Sequence, residues 1–284
     1  MSIRRLAREF DLVIVLNDLW LAAICRLLLP RNVQTAFLGF YYDASSPATG
    51  LRHAKYKMLA SRIDRIVVHT SAEVGLYAES LGIPRARFEF IPYYAYSDAM
   101  GTAKRQNTAP AKPVILAPGR HRDLPCFCKA IEGLNARAIV VCGLTDLPEL
   151  EGAAARSNVE IHSEVPRERY RELMADADIV VIPLYADRWQ RSLGQIALFD
   201  AVLMGKPVVV ARTFQLADYV SESEVLFYEP GNAADLRSQL EKLMGDAKLR
   251  ESLTARAFRR ITTEFTEERF AADMAAACRR WCGY

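Results

Sequence analysis

Residues 192–211 read SLGQIALFDAVLMGKPVVVA, and their pattern decides the fold. From Ile196 to Met204 the chain is apolar on every side of a helical wheel, with Asp200 the lone acid. A helix that is apolar all round is buried. Gly205-Lys206-Pro207 interrupts it, and Pro207–Ala211 (PVVVA) follows as a run of strand length. A buried helix leading into a continuously apolar strand is the mark of a parallel sheet covered on both faces.

Moving outward, the same kind of run recurs. Leu12–Leu16 (LVIVL), Arg65–His69 (RIVVH), Val114–Ala117 (VILA), Ala138–Cys142 (AIVVC) and Ile179–Ile182 (IVVI) are separated by helix-length segments. The alternation predicts a doubly wound α/β fold. Ser97 to Lys112 (SDAMGTAKRQNTAPAK) is small, polar and broken by Gly and Pro, which predicts a domain boundary. The expected organisation is an N-terminal domain over 1–98, a linker over 99–112, a second domain over 113–264 and a final helix over 265–284. Four strands are expected in the N-terminal part, near 12–16, 34–38, 65–69 and 87–91. That is few for a complete Rossmann-like domain, so leading strands are expected to be missing.

Composition excludes several classes. With 51% apolar and 25% charged residues the 284-residue chain is ordinary for a globular protein. A net charge of +3 does not argue for nucleic acid, and no such partner is expected. Locally, Arg52, His53, Lys55, Lys57, Arg62 and Arg65 face a single acid, Asp64. This run suits an anionic partner such as a phosphate-bearing acceptor or lipid headgroup, or it is a solvated helix face. The apolar stretch Leu19 to Leu29 is too short to span a bilayer. Trp20 to Pro30 fits either a core helix or a segment lying on a membrane surface. The six cysteines lack zinc-site spacing and read as reduced thiols of a cytoplasmic protein, with peripheral membrane contact left open.

Ligands of open parallel sheets bind beyond the carboxyl ends of strands. After Val114–Ala117 comes Pro118-Gly119-Arg120-His121-Arg122-Asp123. Gly119 permits close backbone approach, Arg120 and Arg122 offer planar, permanently charged partners for a diphosphate, and His121 could touch phosphate. Before the buried helix, Ser192 is the expected N-cap. The amides of Leu193, Gly194 and Gln195 would then form an anion site at the helix's positive end. Asp200, a buried acid, needs donors, which ligand hydroxyls or protein groups could supply. Asp176-Ala177-Asp178 precedes its strand, at the wrong end for a metal site, and no metal or other cofactor is expected. The chain contains no GxGxxG, P-loop or GxSxG motif.

The stretch from Ser192 to Val209, with Asp200 eight residues after Ser192 and Gly-Lys-Pro-Val-Val at its end, resembles the signature of family 4-like glycosyltransferases. There a Glu-x7-Glu motif enters an apolar helix. The loop at Gly119–Asp123 resembles the family's diphosphate-holding segment, and Glu229-Pro230-Gly231-Asn232 its turn before the late helices. The resemblance covers roughly residues 110–282. It implies a GT-B fold of two Rossmann-like domains, the incomplete N-terminal one facing the acceptor. It further implies a nucleotide diphosphate sugar as donor substrate and transfer with retention at the anomeric carbon. Arg120 and Arg122 would stabilise the leaving diphosphate as catalytic groups. Gly119, His121, Ser192, Leu193, Gly194, Gln195 and Asp200 would bind the donor, with Asp200 on the ribose hydroxyls. Ser192 departs from the family's first Glu, and the family's Gly-rich acceptor loop is not found. The competing expectations are a catalytically degenerate nucleotide-sugar-binding subunit, with a partner chain covering the incomplete sheet, and a sugar-nucleotide epimerase. The acceptor, glycan or lipid, is not specified.

Overall fold

In the computed structural model, residues 9–40, 42, 50–96, 112–150, 152, 159–186 and 191–284 are described. The expected linker, apart from Lys112, lies outside them. The chain divides into two units: the first takes residues within 1–94, 187–192 and 267–284, the second the intervening segments 95–186 and 193–266.

In the first unit, strands β1 (Leu12–Leu16), β2 (Gln34–Leu38), β3 (Arg65–Val68) and β4 (Phe88–Phe90) form a parallel sheet in sequence order. Leu12 lies opposite Gln34, Ala36 opposite Arg65 and Ile66 opposite Phe88. The crossovers carry α1 (Leu19–Leu28), α2 (Gly50–Ala60) and α3 (Ser71–Leu81). Local chemistry sets the helix ends. Asp18 caps α1 by accepting from the Leu21 amide at 2.9 Å. Thr70 and Glu73 close a capping box on α3, and Gly82 ends it in the left-handed conformation. One face of the sheet buries Phe37, Phe40, Tyr77 and Phe88, with Phe40 edge-on to Tyr77 at 5.3 Å. The other buries Ala36, Val67 and Ile91 against Ala277 and Trp281 of the C-terminal helix, Glu267–Cys282. Every crossover among the described residues steps the same way, so this sheet lacks the reversal of strand order at which doubly wound sheets bind ligands.

The second unit has that reversal. Its strands are β5 (Val114–Pro118), β6 (Arg137–Cys142), β7 (Val159–Ser163), β8 (Ile179–Ile182), β9 (Val208–Ala211) and β10 (Leu226–Tyr228), in the order β10-β9-β8-β5-β6-β7. The helices are α4 (Leu124–Ile131), α5 (Arg167–Asp176), α6 (Gln195–Leu203), the short α7 (Phe214–Ala217), α8 (Ala233–Gly245) and α9 (Ala247–Glu264). The chain runs outward from β5 through β6 to β7, then returns to the other side of β5 at β8. The crevice is therefore expected past the carboxyl ends of β5 and β8. As its sequence predicts, α6 is buried except at Ile196. Phe199 packs against Tyr219 and Phe265 at 5.6 and 5.9 Å. Burying such a ring stabilises the fold by about 1.5–3 kcal/mol.

Candidate functional site

A cavity of about 310 Å³ opens at this point of the second unit. Its walls come from five segments: Gly119 and Arg120 after β5, Val141 and Cys142 at the end of β6, Glu164 and Val165 after β7, and two helix faces. The helix faces contribute Arg167, Tyr170 and Arg171 of α5, and Ile196 and Asp200 of α6. Arg120, Arg167 and Arg171 outnumber the carboxylates of Glu164 and Asp200, which suits an anionic guest.

The loop after β5 owes its shape to Gly119. This residue has φ +107, and a Cβ there would lie 2.7 Å from a terminal nitrogen of Arg122. Its amide donates to Val141 O at 2.8 Å. His121 also sits at positive φ, +58. Asp146 ties this loop to the next one, accepting from the His121 amide at 3.2 Å and the Gly143 amide at 2.9 Å.

The two arginines part company here. Arg120 lines the cavity, pairing with Glu164 at 2.5 Å. Arg122 turns inward beneath Gly119 and is buried. Its guanidinium donates to Pro118 O at 3.2 Å and Arg120 O at 3.0 Å. Burial pushes its pKa down to about 10, against the opposing fields of Tyr170 and Asp146, so it stays charged at neutral pH. Arg122, expected to hold a diphosphate, is not among the cavity-lining residues, and its Nε and Nη1 donate to backbone carbonyls that shape the loop. His121 likewise is not among the cavity-lining residues.

The start of α6 also differs from expectation. Its N-cap is Gly194, not Ser192. Ser192 belongs to the first unit, where its amide and hydroxyl donate to Glu73 at 2.6 and 2.5 Å. The Leu198 amide makes the first helical bond, to Gly194 O at 2.9 Å. The amides of Gln195, Ile196 and Ala197 are thus the first-turn donors without an intrahelical acceptor. The Gln195 side chain points elsewhere, donating to Gln215 O at 2.9 Å. Leu193 and Gly194 do not line the cavity. Gly194 is required by the protein's own packing: it has φ +95, and a Cβ would meet Ile182 at 3.2 Å and Leu216 at 3.3 Å. Gly194→Ala is expected to cost about 1–3 kcal/mol through backbone strain, read as a lowered melting temperature. An unchanged melting temperature would show that this backbone tolerates a side chain.

Asp200 is buried and lines the cavity. It accepts a hydrogen bond from the Tyr170 phenol, whose pKa is raised by burial and then by the Asp200 charge. Tyr170, Arg167 and Arg171 had no place in the sequence expectation. Their signal was available: they follow the carboxyl end of β7 at i, i+3 and i+4, one face of a helix. Cys142 also lines the cavity, and burial pushes its thiol up to about 11, so it is neutral at pH 7 and a poor nucleophile.

Three residues outside this cavity have structural partners. His69 is buried with Nδ1 3.0 Å from Ile91 O, and burial lowers its pKa. Asp178 accepts from the Val114 amide at 2.8 Å at the amino end of β8. Arg212, after β9, pairs with Glu222 and Glu229.

A parallel six-stranded sheet with a reversal at β5/β8, in a chain that also carries a second parallel α/β unit, defines the GT-B class of α/β proteins. Residues 112–246 match the family model of Glycosyl transferases group 1. No curated protein matches the sequence. Among solved structures, HepE of Anabaena in complex with UDP and glucose is similar at 16% identity and a TM-score of 0.75, covering 96% of this chain and 79% of that one. Sucrose-phosphate synthase from Thermosynechococcus elongatus is similar at 16% identity and a TM-score of 0.74, covering 96% and 74%. WaaG, a glycosyltransferase of lipopolysaccharide biosynthesis, follows at 18% identity and 0.61, covering 84% and 73%.

Proposed function

We propose that the protein transfers a sugar from a nucleotide diphosphate sugar to a glycan or lipid acceptor, with retention at the anomeric carbon. The observation that carries this reading is the strand-reversal cavity, which three arginines and a buried Asp200 line together. As the bond from the anomeric carbon to the diphosphate breaks, negative charge grows on the leaving oxygens. Arg120 and the first-turn amides of α6 are assigned to that charge, which they stabilise more in the transition state than in the bound donor. The assignment gives this work to guanidinium and peptide dipoles rather than to a metal. Asp200, held by Tyr170, is assigned to the ribose hydroxyls. The proposed location is the cytoplasm, at a membrane surface.

Calorimetric titration with UDP and GDP tests the donor site. Asp200→Asn is expected to weaken the preferred ribonucleotide about 10- to 100-fold, the loss of a hydrogen bond to a charged group. The 2′,3′-dideoxy form should bind wild type and variant alike. Equal affinity of wild type and variant for the ribonucleotide would remove Asp200 from the ribose. One observation favours a second reading, an inert donor-binding subunit: Ser192, at the position of the family's first Glu, is engaged by Glu73. Nucleotide binding without donor hydrolysis or transfer would support that alternative.

A further inference from the structure

Helix α1 is apolar on the side that should face water. Trp20, Leu21, Ile24, Leu27 and Leu28 are each between 41% and 68% exposed. At 100° per residue they share an arc of about 120° centred on Ile24. The opposite side of α1 buries Ala22, Ala23 and Cys25 in the unit's core, and Arg26 is turned to Asp64 at 3.2 Å. The stripe is thus an outer face that the core does not use. Contiguous exposed apolar surface of this kind marks an interaction site.

The adjoining helix supplies charge. Lys55 of α2 places its ammonium 5.2 Å from the centre of the Trp20 ring, which joins the two helices into one surface. Alongside it α2 exposes Leu51 and Met58 together with Arg52, while Lys57, also exposed, turns to the other side beside Gly82. Arg62, just beyond, is also exposed and donates to Met58 O. None of Arg52, Lys55, Lys57 and Arg62 is in an ion pair among the described residues. Neither α1 nor α2 contains an acid.

We infer that the α1–α2 face docks on a bilayer containing anionic phospholipid, with the α1 stripe entering the acyl boundary and the α2 cations on the lipid phosphates. An apolar stripe flanked by cations is the chemistry of an interfacial helix. At ten residues α1 is too short to cross the membrane. A second copy of the chain fits less well, because a two-fold contact would bring the same unpaired cations together. The inference extends the proposed membrane location by naming its surface and lipid chemistry. It is tested without nucleotide, so its failure and that of the donor-site assignment are separate results.

The test is co-sedimentation of the full chain with phosphatidylcholine vesicles, with and without phosphatidylglycerol. Wild type is expected to pellet at least about tenfold more with the anionic vesicles, and less as salt is raised. The double variant Ile24→Glu/Leu27→Glu should lose that binding, with circular dichroism and melting temperature unchanged because both side chains are exposed. If that variant fails to fold, Lys55→Glu/Arg52→Glu on the exposed face of α2 should lose it instead. Wild type left in the supernatant, or equal pelleting with both vesicle types, would overturn the inference. So would a dimer that the Ile24→Glu/Leu27→Glu change converts to a monomer while vesicle binding is absent.

Discussion

Arg120→Ala is expected to lower turnover of a nucleotide-sugar donor by about two to three orders of magnitude, the usual effect of removing one preorganised donor to developing charge. The melting temperature should hardly move. The Arg120 side chain is 63% exposed and its partner Glu164 is also solvent-accessible, and such pairs contribute about 0–1 kcal/mol. Its stem lies over Gly143, where a Cβ would approach Arg120 Cγ to 3.0 Å, so the guanidinium is carried to the cavity by close packing. Arg120→Lys should recover part of the loss, since it restores charge without the planar fork. Arg122→Ala makes the contrasting control. It empties a buried site and leaves the Pro118 and Arg120 carbonyls without their donor, so its first effect should be on the melting temperature. Steady-state kinetics alongside thermal unfolding separates the two arginines. Wild-type turnover in Arg120→Ala would take the leaving-group role from this side chain.

That separation marks where sequence reasoning stops. Arg120 and Arg122 look equivalent in a strand-end loop, and only the positive φ of Gly119 shows which one turns beneath the backbone. Ser192 has the residue type of an N-cap, yet its hydroxyl is taken by Glu73, 119 positions away in sequence. Local preference yields there to a tertiary partner, and the cap falls to Gly194. Tyr170 lies in RERYRELMAD, a segment that reads as a surface helix. Its burial depends on β7 lying beside β6 and on α5 returning over the sheet. Asp200 was legible for the opposite reason. It is the one acid on an apolar wheel, and a buried carboxylate needs donors wherever the chain goes. The strands were legible because continuous apolar runs have few other solutions in water.

The largest loss of stability is expected from Glu73→Ala, about 3–5 kcal/mol, because several buried donors lose their acceptor at about 1–3 kcal/mol each and partly relax. Glu73 is buried and both its oxygens are filled. Oε1 accepts from the Tyr77 hydroxyl at 2.7 Å and the Ser192 amide at 2.6 Å. Oε2 accepts from the His69 amide at 3.1 Å, the Thr70 amide at 3.0 Å and the Ser192 hydroxyl at 2.5 Å. Alanine would leave these donors without their acceptor and open a void between the start of α3 and Ser192. Glutamine is nearly the same size but should rescue only partly, because its amide nitrogen would face donors where an oxygen is needed. Denaturant unfolding of the two variants therefore separates volume from hydrogen bonding. A glutamine variant as stable as wild type would mean that the site needs filling rather than acceptors. The double change Glu73→Ala/Ser192→Ala should cost less than the sum of the singles, since each single strands the other's partner. Strict additivity would detach Ser192 from Glu73 and return its hydroxyl to the role its sequence position suggests.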